Sequence, residues 1–181
     1  MNTLTMPRPS LALPRSKAPH APAAGAHRWT IRQATRTDLD RLVDLSIRLA
    51  RRTEKRALAE PIVRAGIASL IESPAHGFIL VAQDEEGALV GEIMVGGFEW
   101  SEWSNGVYWI VTSCAVHPAY SLEEREGVVR ALHQSLVARA TAEGVVGLKA
   151  SVLEGNTWAA RYFPELGIRP NGYAVFEQHL A

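Results

Sequence analysis

The sequence predicts a mixed α/β domain built around one core, and three observations carry that prediction. Its 181 residues, nearly half of them hydrophobic, suit a single domain. The apolar residues also change period along the chain, from alternation to helical spacing and back, in the order strand, two helices, three strands, helix, strand, helix, strand. Finally, the strand, helix, strand passage from Val107 to Val152 is long enough to bring its second strand back parallel to the first through a right-handed crossover. The expected architecture is a mostly antiparallel sheet flanked by about four helices.

Each element has its own signals. Residues 1 to about 26 hold five of the ten prolines and no apolar periodicity, so they read as an extended basic arm, and the domain proper as 27–181. A transit peptide also fits the arm's acid-free composition, but it has no convincing amphipathic stripe. Arg28 to Gln33 alternates as a half-buried strand. Thr37 with Asp40 has capping-box spacing, and Leu39, Leu42, Val43, Leu49 and Ala50 follow at helical intervals. Pro61 suits the first turn of a second helix, with Val63, Ile67, Leu70 and Ile71 on one face, which closes before Pro74. Phe78 to Ala82 and Leu89 to Phe98, joined through Glu86-Gly87, read as a hairpin. A connector from Trp100 to Gly106 leads to a third strand, Val107 to Val116. A helix from about Glu124 to Ala142 turns Val129, Leu132, Leu136, Val137 and Ala140 inward. Val146 to Val152 alternates as a strand, Asn156 caps a short helix stopped by Gly167, and Tyr173 to Leu180 is the last strand.

Charge and composition exclude several classes. With 19 basic and 19 acidic side chains the chain is neutral, which argues against a general nucleic-acid binder. Every charged residue up to Arg36 is basic, whereas no Lys or Arg lies between Arg64 and Arg125, a stretch holding nine acids from Glu72 to Glu124. A basic arm therefore precedes an acidic body. No apolar run approaches the roughly 20 residues of a membrane span. The lone Cys114 and the scattered histidines offer no disulfide and no metal-ligand spacing, so the expectation is a cytoplasmic protein without a metal.

Three segments carry a family resemblance over roughly residues 28 to 180. Cys114-Ala115-Val116-His117-Pro118-Ala119-Tyr120, followed by Gly127-Val128-Val129-Arg130-Ala131-Leu132, is similar to a strand, "VHPxYR", glycine turn and helix. Asn156 with Ala159, Phe163, Gly167 and Ile168 has the spacing of an "NxxAxxxYxxxGF" helix. Glu99-Trp100-Ser101-Glu102-Trp103-Ser104-Asn105-Gly106 leading into Trp109 is a phrase typical of one bacterial branch. Together they resemble the GNAT superfamily of N-acyltransferases. The resemblance implies a central parallel strand pair that splays apart to hold acetyl-CoA as co-substrate. The pantetheine would pair with the backbone at Ala115 and Val116. The pyrophosphate would sit on amides of the turn before a helix at Val128, among Arg125, Glu126, Gly127, Val128, Val129 and Arg130, with Asn156 and Phe163 completing the cofactor site.

Two departures from the family's pattern stand out. Its loop is normally rich in arginine; here Glu123, Glu124 and Glu126 face Arg125 alone, Val129 replaces a small residue, and Tyr120 stands three residues too far from Gly127. Acids at a helix start stabilise the helix but repel a pyrophosphate. The family also often places a tyrosine where this chain has Phe163, to protonate the departing thiolate. Tyr162, Tyr108 or a water is left to serve, or release goes unassisted.

Glu99 and Glu102 are candidate bases for an ammonium or anchors for a cationic substrate, or else members of a solvated loop. Glu92 can face solvent or the pocket. Cys114 next to a thioester invites a covalent reading, but no basic neighbour in sequence lowers its pKa. His117, before a proline at a strand end, suits capping better than catalysis. Trp100, Trp103, Trp109 and Trp158 either line a pocket or fill core. The leading expectation is an N-acetyltransferase that moves an acetyl group from acetyl-CoA to a primary amine of a small cationic molecule, by direct attack in a ternary complex. Neither nucleic acid nor membrane is an expected partner, and a homodimer is left open. The alternatives are a fold repurposed for a small molecule other than CoA, and a non-catalytic binding module.

Overall fold

A computed structural model of the chain describes residues 29–153 and 155–172. The expected arm and the expected last strand lie outside them. Five strands form one sheet in the order β1 (Thr30–Gln33), β2 (Phe78–Gln83), β3 (Leu89–Ser101), β4 (Gly106–Val116) and β5 (Gly147–Ala150). The first three pairings are antiparallel and β4 pairs with β5 in parallel. Helices α1 (Leu39–Leu49), α2 (Glu60–Glu72), α3 (Leu122–Ala142) and α4 (Thr157–Tyr162) complete the described elements, with short 3-10 turns before α1 and after α4. This is the mixed, mostly antiparallel α/β architecture read from the sequence.

Two apolar layers sandwich the sheet. On one face Leu42 and Val43 of α1 and Ile67 of α2 bury against Ile79, Val81 and Met94. On the other, Val128, Val129, Leu132, Leu136 and Ala140 of α3 join Tyr162 of α4 over Phe78, Leu80, Ile93, Val95 and Trp109. Each fully buried large side chain is worth roughly 1.5–3 kcal/mol, which is what fixes the helices on their faces. Val137, expected inward, lies 39% exposed, because it points away from both layers.

Several boundaries differ from expectation for local reasons. The capping box that opens the first helical segment is Thr35 with Asp38 rather than Thr37 with Asp40. Asp38 also takes a bidentate contact from Arg32, both nitrogens at 2.7 Å, and this second partner on β1 selects the earlier cap. A π-helical turn, Ala50–Glu54, extends α1 before Lys55 ends it in the left-handed region. The presumed connector after Phe98 is instead the tip of a long β3–β4 hairpin: Trp100 still pairs with Val107, and Asn105 makes the turn at φ 47°. β5 is shorter than expected, leaving Val146 and Val152 exposed.

One irregularity positions the site. Met94 pairs with Ser113 but Val95 pairs with Val111, so Thr112 is an extra residue on β4. A compensating extra residue follows on β3, where Val95 to Phe98 spans only Val111 to Trp109. Bulges bend a strand and increase its twist. Pairing of β4 with β5 ends at Val111 and Ala150, at the bulge, while β4 runs on to Val116. Among the described residues β4 therefore has no strand partner on this side from Thr112 onward, and this opening is the splay of the parallel pair.

Candidate active site

Beyond the bulge, backbone direction follows from the pairing. His117 N–H donates to Val90 C=O at 2.8 Å, so its backbone groups face β3. Alternation then turns those of Ala115 toward β3 as well, and those of Cys114 and Val116 toward the splay, where β5 has already ended. An open strand edge of this kind takes an extended, amide-bearing chain as an added strand. Next to it lies an apolar cavity of about 40 Å³ between the sheet and α3, lined by Val111, Cys114, Val129, Leu148, Phe163 and Leu166 among others.

The opposite face of the same segment carries Glu92. This side chain is fully buried in the centre of β3, beside Val81 and Ala115 in the register. Ser113 Oγ donates to Glu92 Oε1 at 2.7 Å, while Glu92 Oε2 has no hydrogen-bond partner among the described residues. Burial pushes the carboxyl up to about 7, against the pull of the Ser113 hydroxyl and the Ala115 amide. A carboxylate held near neutrality beside a partly exposed hydroxyl can accept a proton relayed through that hydroxyl. Among the described residues it is the strongest such group, and sequence reasoning gave it no role. The available signal was a lone acid inside the apolar run Leu89–Val95.

The residues singled out from sequence fall into separate places. Glu99 ion-pairs with Lys149 from the exposed half of the hairpin, and Glu102 is exposed at its tip. Tyr108 Oη lies 3.1 Å from Ser104 Oγ, and its ring sits under the Lys149 ammonium. Tyr162 is buried against α3 and donates to the Glu126 carbonyl at 2.7 Å, so its hydroxyl is engaged rather than free. Asn156 Oδ1 caps α4 by accepting the Ala159 N–H at 3.0 Å. Phe163 lines the apolar cavity. Trp100 and Trp103 are exposed, Trp103 at 91%, whereas Trp109 is core. His117 Nδ1 accepts the Ala119 N–H at 3.3 Å, a local cap, and burial pushes the Cys114 thiol well up, away from a reactive thiolate.

At α3 the structure departs from the turn that the resemblance implied. The helix starts at Leu122, so the amides of Gly127, Val128 and Val129 lie inside it, committed to helical bonds. Its first turn is closed by its own residues: Ser121 Oγ accepts the Glu124 N–H, the Glu124 carboxylate accepts the Ser121 N–H, and the Arg125 N–H goes to the Ser121 carbonyl. Arg125 Nε points back to the same carbonyl, and Arg130 lies 3.8 Å from Glu165. The strand edge thus fits a pantetheine arm as an added strand, but the start of α3 does not fit a diphosphate.

An open cleft of about 750 Å³ lies toward α1, at the far end of β4, lined by Asp40, Arg41, Asp44, His117, Tyr120 and Glu124 together with apolar neighbours. Among the described residues there is no group of three or more His, Cys, Asp or Glu able to hold a metal ion, and no helix long and apolar enough to cross a membrane.

A sheet of this order, with a parallel pair opened at a bulge in β4, is the arrangement the resemblance implied. The acetyltransferase (GNAT) family model matches residues 40–168, and the chain belongs to that family. Among solved structures it is similar to a possible acetyltransferase from Clostridium difficile 630, at 25% identity over 84% of this chain and 98% of that one, with a TM-score of 0.75. The aminoglycoside N-acetyltransferase AAC(6')-Iy in complex with CoA shares the fold, at 16% identity over 88% and 99% with a TM-score of 0.68. So does an aminoglycoside acetyltransferase from an uncultured soil metagenomic sample in complex with sisomicin, at 13% over 85% and 97% with a TM-score of 0.64. No curated protein matches the chain in sequence.

Proposed function

We propose that this protein is an N-acetyltransferase that moves an acetyl group from the thioester of acetyl-CoA to a primary amine of a small cationic molecule. The observation that carries the reading is the splay at Thr112, which leaves the Cys114 and Val116 backbone unpaired among the described residues, beside an apolar cavity. The thioester supplies an activated carbonyl and a thiolate leaving group. The chain's residues supply the alignment: a backbone N–H of the splayed segment polarises the carbonyl, and the cavity walls keep water from it.

In a ternary complex the neutral amine nitrogen bonds to the carbonyl carbon, the carbon–sulfur bond breaks, and the one surplus proton on that nitrogen must leave. Ser113 Oγ takes that proton while passing its own to Glu92 Oε1, so one carboxylate ends protonated and one amide is formed. Glu92 replaces Glu99 and Glu102 as the favoured base, since those two lie on the exposed hairpin. Tyr162 is tied to α3, so the thiolate leaves unassisted or is protonated by water. The surplus of acids from Glu72 to Glu124, a stretch without Lys or Arg, supports a cationic acceptor.

The test is thiol release from acetyl-CoA in the presence of a panel of polyamines, aminoglycosides and amino acids. Turnover that depends on a cationic primary amine supports the reading. Hydrolysis alone, or no release with any acceptor, contradicts it.

A further inference from the structure

We propose that the acyl donor is recognised through its pantetheine arm alone, so that a thioester lacking the nucleotide diphosphate serves as well as acetyl-CoA. The proposal rests on the acyl-transfer reading and narrows its donor class. An arm laid along β4 from Thr112 toward Val116 leaves the splay where β4 hands over to α3. Whatever follows the arm is therefore delivered to residues 117–126.

That surface lacks what a diphosphate requires. Anion capture at a helix start depends on unspent N–H groups and on local positive charge. Here the Glu124 and Arg125 amides are both taken by Ser121 and the Ser121 amide by the Glu124 carboxylate, which leaves only the Leu122 and Glu123 amides at the helix start, in a turn that carries Glu123 and Glu124. The amides of Gly127, Val128 and Val129 lie a turn deeper, inside the helix. Glu123, Glu124 and Glu126 bring three carboxylates to the first turn and a half. Of the nearby cations, Arg125 folds onto the Ser121 carbonyl, Arg130 lies between Glu165 and the Tyr162 ring, 5.7 Å from its centroid, and Arg41 lines the cleft among Asp40, Asp44 and Glu124. The strand edge for the arm is itself open among the described residues, with a small apolar cavity beside it.

The experiment compares acetyl-CoA with S-acetyl-pantetheine as donors to one accepted amine, at low and high salt. The expected result is a kcat/KM for acetyl-pantetheine within about tenfold of that for acetyl-CoA, and an acetyl-CoA rate that does not fall as salt is raised. A loss of more than about tenfold on truncation, or an acetyl-CoA rate that falls with salt, would overturn the proposal. A double variant, Glu123→Lys with Glu126→Lys, keeps the Ser121–Glu124 cap. It should raise kcat/KM for acetyl-CoA and leave acetyl-pantetheine unchanged; equal effects on both donors count against the proposal. Transfer from neither donor would instead remove the acyl-transfer reading beneath it, which calorimetric titration with pantetheine and CoA checks independently of turnover.

Discussion

Glu92 concentrates the chemistry at the scale of one residue. A fully buried carboxyl with one oxygen on Ser113 and the other without a partner is costly, and that cost is what moves its pKa to about 7. As the proton acceptor it must be ionised, so activity should rise with pH through about 7. Glu92→Gln should lower kcat about a hundredfold and abolish that limb of the pH–rate profile, while keeping the bond to Ser113. A purely structural role would leave the limb in place. Tyr162 makes the opposite case. Tyr162→Phe removes a buried bond to the Glu126 carbonyl, so it should cost about 1 kcal/mol in a denaturant titration yet change kcat less than twofold. The sequence pointed to Tyr162 because of its nearness to Phe163, and left Glu92 open between solvent and the pocket because only strand register decides which way an acid on a strand faces. Here register sets it against Val81 and Ala115, under α1 and α2.

At the scale of elements, the bulge in β4 and the early start of α3 determine what the fold can hold. An ideal Cβ on Gly96 would approach the Thr112 side chain to 2.7 Å, so the bulge closes over a bare backbone. Gly96→Val should therefore destabilise the protein by roughly 1–3 kcal/mol and weaken thioester binding together, readable as a lower melting temperature and a raised KM. Every described helix and strand was legible as periodicity, because each buries one face against a layer of the core. The bulge was not, since no Gly or Pro between Val111 and Val116 marks an extra residue. Nor was the length of the β3–β4 hairpin: the Trp-rich phrase read as a connector, but cross-strand pairs hold it extended with its indoles in solvent. The α1 cap moved because Arg32, a residue of β1, chooses Asp38 over Asp40. These are tertiary choices that no local window contains.

For the whole molecule, two buried carboxylates should shape stability against pH in opposite senses. Arg32 and the Thr35 groups hold Asp38 down to about 2, below the usual Asp value near 4, so its contribution is present above about pH 4 and is lost as pH falls toward 2, at roughly 2 kcal/mol. Glu92 is raised, so its contribution is fully present below its unfolded value of about 4.3 and is lost as pH rises through about 7, at roughly 3 kcal/mol. Stability measured by denaturant titration should therefore peak near pH 4–5 and decline toward neutrality. In Glu92→Gln the neutral-side decline should vanish while the acid-side loss remains.

The polarity first seen in the charge pattern takes a physical form in the same frame. The acidic block includes the capped start of α3, where Glu124 serves the helix rather than a ligand. On the proposed reading, the strand edge is kept for the donor and the start of α3 is given up to the helix cap. Backbone amide exchange in the presence of saturating S-acetyl-pantetheine tests that claim most directly. The Cys114 and Val116 amides should become strongly protected, with little change at Ser121–Glu126. Unchanged exchange at Cys114 and Val116 under conditions of demonstrated binding would contradict it.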